Sequence, residues 1–303
     1  GHLYDFLGYY FFPYYVFSRS ETLFYFIAAR YEFHDKGIDV FLGALGALNR
    51  TLARERIKNR TIVAFIWVPA EEHGLRPELM DSRIRYFRLL TALRKDGYNL
   101  RNDRTSLHLL REPREAALRR LGFSSLRELR EFKRIGTPPL STHEMRGDDA
   151  MVRAARNAGL LNRREDSVKV VMYPVYLSKD DGVLNLGYWE SMQAAHLGVF
   201  PSFYEPWGYT PLESAALGVP AVTTDLSGFG RYLRESLGKQ GKGIYLLPRA
   251  GKTDAEATRG LHDILFSFSR FSHSERRRLA GAARKLAELA DCKYFVMHYI
   301  EAH

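Results

Sequence analysis

Gly198–Gly218, GVFPSFYEPWGYTPLESAALG, reads as the end of a buried strand, a loop and the start of a helix. The apolar run stops at Pro201, the loop carries Glu205 and Gly208, and the helix is expected to begin near Thr210. Thr210 has the chemistry of an N-cap, Pro211 that of a first helical position, and Glu213 completes a capping box. A helix that starts directly after a buried strand presents its amides at the strand's C-terminal end, where open α/β sheets bind ligands. Gly208 allows close backbone approach, so the segment suits a phosphate group. The same T-P-x-E pattern also opens helices that bind nothing, and Glu213 can act as a cap alone. Glu205 is different: capping gives no reason to set a carboxylate among aromatic residues in a tight loop.

Outward from this unit, short β-branched and aromatic runs alternate with amphipathic stretches. Leu23–Ala28, Thr61–Val68, Val168–Met172, Leu197–Pro201, Ala221–Thr224 and Gly243–Leu247 read as strands. They are mostly apolar rather than alternating, as strands covered on both faces are. Helices are expected at Lys36–Arg56, Asp148–Ala158, Gly187–Ala195, Pro211–Leu217 and Phe229–Leu237. Strand–helix–strand succession implies right-handed crossovers, hence an α/β fold with a doubly wound parallel sheet. Leu75–Arg134 reads as a helical, arginine-rich insertion without a convincing strand, either a self-association surface or a solvated excursion. Thr253–His303 is expected to be helical too. With no linker or repeat, 1–303 reads as one Rossmann-like domain that includes both segments.

Composition narrows the classes. The chain has 303 residues, 46 % of them hydrophobic, enough for a sizeable core. Cys292 stands alone, which excludes an intramolecular disulfide and fits a reducing cytoplasm. No apolar run reaches membrane-spanning length, and the aromatic Tyr9–Phe17 is short and broken by Pro13. The net charge of +10 points to an anionic partner or to an arginine-rich solvated surface. No zinc-ligand spacing or aromatic ribonucleoprotein motif accompanies it, so nucleic acid is a minor reading.

YEPWGYTPLESAALGVPAVTTDLSGFG (Tyr204–Gly230) resembles the signature of the glycogen synthases of the eukaryotic type. These are retaining glycosyltransferases of the two-domain GT-B group, and Glu205 and Glu213 match its E-x7-E pair. The resemblance continues through IAARYEF (Ile27–Phe33), KGID (Lys36–Asp39), AFIWVPA (Ala64–Ala70) and PPLSTH (Pro138–His143). It covers nearly the whole chain and is loose only over 75–134.

The resemblance implies roles residue by residue. Arg30 and Lys36 match the basic pair that binds the donor diphosphate and neutralises it as the sugar leaves. Their chemistry fits, a planar fork and a point charge. Read without the resemblance, Arg30 pairs with Glu32 and Lys36 opens a helix. Tyr188 matches the tyrosine that stacks on the base, Glu213 the acid on the ribose, and Glu205 the acid near the transferred glucose. Trp207, Gly208, Tyr209 and Thr210 are expected to contact sugar and phosphate. The implied reaction moves glucose from UDP-glucose or ADP-glucose to an α-1,4-glucan with retention, without metal or other cofactor.

The resemblance also implies a further Rossmann-like domain, preceding Leu3, that completes the acceptor side; the chain alone is then expected to be inactive. The arginine-rich regulatory helix is thinned here to Arg276, Arg277 and Arg278 followed by alanines, as in a microbial member, so little activation by glucose-6-phosphate is expected. Two alternatives stand beside this reading. One is another retaining GT-B transferase, such as a sucrose- or trehalose-phosphate synthase. The other is a non-catalytic nucleotide-sugar-binding module or an assembly subunit.

Overall fold

The structure, a computed structural model, describes residues 2–12, 14–15, 17–55, 57, 60–95, 137–237, 242–291, 293, 296 and 300–301. Most of the expected insertion, Cys292 and much of the terminal aromatic run lie outside the described residues. Helices are α1 (His2–Tyr10), α2 (Ile38–Arg54), α3 (Pro77–Lys95), α4 (Ala150–Asn157), α5 (Tyr188–Gln193), α6 (Tyr209–Ala216), α7 (Gly228–Leu237), α8 (Asp254–Arg270) and α9 (His273–Glu288). Strands are β1 (Thr22–Ala28), β2 (Thr61–Trp67), β3 (Glu72–Leu75), β4 (His143–Met145), β5 (Val168–Tyr173), β6 (Leu197–Val199), β7 (Ala221–Thr224) and β8 (Ile244–Leu247).

Six strands form one parallel sheet in the order β5-β2-β1-β6-β7-β8. These are the six runs expected from sequence. Every residue of β1, β2 and β5 is buried, because helices cover both faces. On one face Phe24 and Phe65 meet α1 through Tyr4 and Phe6. On the other, Tyr25 packs on Phe268 of α8, and its buried hydroxyl donates to Leu265 O at 3.1 Å. The doubly wound α/β fold follows from this two-sided burial.

Two local readings change. Glu72–Leu75 pairs with His143–Met145 as an antiparallel ribbon, so a strand closes at the very start of the expected helical insertion. Such short, half-exposed strands lack the apolar run that marks the central ones. The segment Pro77–Lys95 is helical as expected. Among the described residues no helix is long and apolar enough to cross a membrane.

Candidate functional site

The chain leaves β1 towards β2 and β5 on one side, and β6 leads to β7 and β8 on the other. Strand order therefore reverses between β1 and β6. A crevice outside the C-terminal ends of these two strands is where open α/β sheets take their ligands. A cleft of about 530 Å³ lies there, lined by Arg30, Lys36, Tyr188, Glu205 and Thr210 among others.

The loop after β1 is a short series of turns. Glu32 N donates to Arg30 O at 2.8 Å, and Lys36 N to Glu32 O at 2.9 Å. Gly37 follows with φ 67°, and a Cβ there would stand 2.2 Å from Pro201 O, so only glycine fits. This close approach brings the β1 loop against the loop after β6, and Phe203 N donating to Asp35 O at 2.8 Å fastens them. The consequence is an ion pair: Lys36 Nζ donates to Glu205 Oε2 at 2.8 Å. The Lys36 side chain is only 11 % exposed. Arg30, by contrast, is 78 % exposed and meets Glu32 Oε1 at 2.9 Å.

The Glu205 loop is held from its other side by the start of α7. Gly228 N donates to Glu205 O at 3.2 Å and Phe229 N to Trp207 O at 2.6 Å. A side chain at Gly228 would collide with Pro206 O at 2.2 Å. Thr224 Oγ1 donates to Ser202 O at 2.9 Å. The LSGFG segment thus supports the acidic loop.

The Tyr188 hydroxyl donates to Glu213 Oε2 at 2.9 Å, joining α5 to α6. Burial, and secondarily the Glu213 charge, pushes the Tyr188 pKa upward, so the phenol stays protonated and remains the donor. The Thr210 side chain also hydrogen-bonds Tyr188.

The capping-box reading of this helix is corrected. Gly208, with φ 108°, is the N-cap and no side chain caps the helix. Its left-handed turn starts the helix at Tyr209, which moves Pro211 to the third helical position and Glu213 beyond reach of the N-cap amide. Glu213 turns to Tyr188 instead.

Five of the expected site residues therefore line the cleft, and Glu213 joins them through Tyr188. Trp207 does not line it; its ring packs on Phe229 and Tyr232 at 6.1 and 5.9 Å. Gly208 is buried at the helix start, and Tyr209 is 69 % exposed outside the lining. Sequence reasoning missed Tyr31, Trp67 and Tyr176, which also line the cleft. Tyr31 is anchored by its hydroxyl to Asp149, the N-cap of α4, at 2.7 Å. Trp67 ends β2, and its buried indole N–H has no acceptor among the described residues. Position at a strand's C-terminal end was the available signal for Trp67.

One group of metal-capable side chains converges among the described residues: His34, Asp39 and Asp254, with ligand atoms within 4.8 Å of one another. It lies outside the cleft lining. Its members are already paired, His34 Nδ1 with Asp39 at 2.8 Å and Asp254 with the buried Arg249 guanidinium at 2.6 Å.

The glycogen synthase family profile matches residues 1–303. The glycogen (starch) synthase of Neurospora crassa is 35 % identical over 99 % of this chain and 44 % of its own length. The liver glycogen (starch) synthase of Mus musculus is 34 % identical over 98 % of this chain and 43 % of its own. Among solved structures, a trehalose-6-phosphate synthase shares 10 % identity over 93 % of this chain and 45 % of that one, with a TM-score of 0.46. The chain spans less than half the length of the curated relatives it matches.

Proposed function

The chain belongs to the glycogen synthase family, and from that premise we propose that its cleft is the donor site of a retaining glucosyltransferase. The donor is UDP-glucose or ADP-glucose, and the acceptor is an α-1,4-glucan. The observation that carries the reading is the convergence of a basic pair, two glutamates and a half-buried tyrosine at the point where strand order reverses.

In this reading Arg30 and Lys36 take the diphosphate. Lys36 is nearly buried, so its charge acts with little screening on the leaving oxygen. Glu205 faces the glucose, where it accepts hydroxyl protons and stabilises positive charge developing at the anomeric carbon. Glu213 takes the ribose hydroxyls, an ionised carboxylate being a two-oxygen acceptor. The Tyr188 ring offers a flat face to the base. No metal or other cofactor is invoked, since the two cations and the start of α6 can neutralise the diphosphate between them. We assign the 303 residues as one donor-binding unit, with a second domain supplying the acceptor face and the chain alone not elongating glucan. Its place of action is the cytoplasm.

Trp67 in the cleft makes the reading testable by tryptophan fluorescence during titration with UDP-glucose and ADP-glucose. Saturable change with one of them, lost in Glu213→Ala, is expected. An unchanged signal with both, together with no binding by equilibrium dialysis, contradicts the reading.

A further inference from the structure

Glu32 lies outside the roles just given, and its position is unusual. Its two carboxylate oxygens go to two different cations: Oε1 to Arg30 at 2.9 Å and Oε2 to Lys36 Nζ at 3.7 Å. Lys36 in turn holds Glu205 at 2.8 Å. The result is an alternating chain, Arg30–Glu32–Lys36–Glu205, in which two positive charges are balanced by two negative ones. The proton inventory matters too. Lys offers three donors and Arg five, so both keep capacity for a further anion while the carboxylates stay nearby. The 2.8 and 2.9 Å backbone bonds from Glu32 to Arg30 and from Lys36 to Glu32 hold the three residues in one run of turns, so the Glu32 carboxylate stays within reach of both cations.

A carboxylate that spans two cations with separate oxygens occupies them as two oxygens of a phosphate group would. We propose that Glu32 is the resident counter-ion of the diphosphate subsite and sets its selectivity, an assignment that rests on the donor-site reading. In the empty cleft it neutralises Arg30 and shares Lys36, so small anions without further contacts do not displace it. A nucleoside diphosphate, held also at base and ribose, competes successfully for both cations. After transfer the carboxylate recaptures them, which weakens the hold on the nucleoside diphosphate product and speeds its departure. Glu32 is thus a specificity-determining residue rather than a scaffold for the cations.

The test is calorimetric titration of the whole chain and of Glu32→Gln and Glu32→Ala with UDP, ADP and pyrophosphate. Thermal melts establish that each variant is folded, and the half-exposed side chain makes both tolerable. For the nucleotide that the unaltered chain binds, both variants are expected to bind about tenfold more tightly, since a nearby negative charge has been removed. Pyrophosphate is expected to bind both variants detectably and the unaltered chain too weakly to measure. Nucleotide affinity that is unchanged or lower in both variants overturns the proposal and makes Glu32 a scaffold, while the donor-site reading stands. Absence of nucleotide binding by all three proteins overturns the donor-site reading and this proposal with it.

Discussion

Lys36 and Glu205 are 169 residues apart in the chain, yet Lys36 Nζ sits 2.8 Å from Glu205 Oε2. The pair joins the loop after β1 to the loop after β6 across the point where the sheet reverses its strand order. In the donor-site proposal it sets the cation assigned to the phosphate directly beside the acid assigned to the sugar, the two ends of the bond that would break.

That adjacency separates the roles of the pair. Lys36→Ala is expected to weaken UDP or ADP binding about tenfold or more, because a charge-assisted contact is lost. Glu205→Gln removes a negative charge 2.8 Å from Lys36, so the nucleoside diphosphate should bind no more weakly than before, while any extra affinity that the glucose confers is lost. Titration with each nucleotide and its glucose conjugate distinguishes the two; equal effects of both variants on both ligands would contradict the division.

The Tyr188–Glu213 bond predicts a graded loss. Tyr188→Phe keeps the aromatic ring and removes only the donor to Glu213, so nucleotide affinity should fall by about three- to tenfold, the scale of one hydrogen bond. Tyr188→Ala should cost more. The 2′-deoxynucleoside diphosphate, lacking one ribose hydroxyl, should show a smaller penalty from Tyr188→Phe than the ribonucleotide does. Identical penalties would mean the hydroxyl does not act through Glu213.

Gly37 gives a structural prediction. Alanine there meets a positive φ and a carbonyl 2.2 Å from its Cβ, so the β1 and β6 loops must part. Gly37→Ala should destabilise the fold by about 2 kcal/mol or more and weaken nucleotide binding together, since Lys36 is the preceding residue. Chemical denaturation and titration check both; a variant of normal stability with normal binding would show that the loops do not need this contact.

Acid stability is set in part by His196. Its Nδ1 accepts from Phe24 N at 3.0 Å, and burial, followed by the Arg276 and Arg60 charges, lowers its pKa to about 4. An unfolded histidine titrates near pH 6.5, so between about 6.5 and 4 the unfolded chain binds the proton that the folded chain refuses. Stability from this group is intact above about 6.5 and declines as the pH falls towards 4, by up to about 3 kcal/mol. His196→Asn, which keeps an acceptor but cannot titrate, should flatten that part of the profile. Parallel melting curves for the two proteins between pH 7 and 4 would contradict the assignment.

The central strands were legible because burial on both faces leaves a continuous apolar run, as in TLFYFIA and TIVAFIW. The E-x7-E pair and the RYEF segment were legible through resemblance, and the fold brings Arg30, Lys36, Tyr188, Glu205 and Thr210 to one cleft. What escaped was set by backbone geometry and distant packing. The left-handed turn at Gly208 displaced the expected N-cap, a matter of φ that T-P-x-E does not encode. Trp207 turned to Phe229 and Tyr232 because a long-range apolar surface was on offer there. Glu32 was visible only as a surface partner of Arg30, since its second cation, Lys36, becomes important once Glu205 arrives from the far side of the sheet.

The most direct test of the donor-site account is calorimetric titration of this chain with UDP, ADP, UDP-glucose and ADP-glucose, repeated on Glu213→Ala. The account predicts saturable binding of at least one nucleotide and its glucose conjugate, weakened about tenfold or more in the variant through loss of the ribose contacts. Binding that is undetectable for all four ligands, or equal in both proteins, would contradict it.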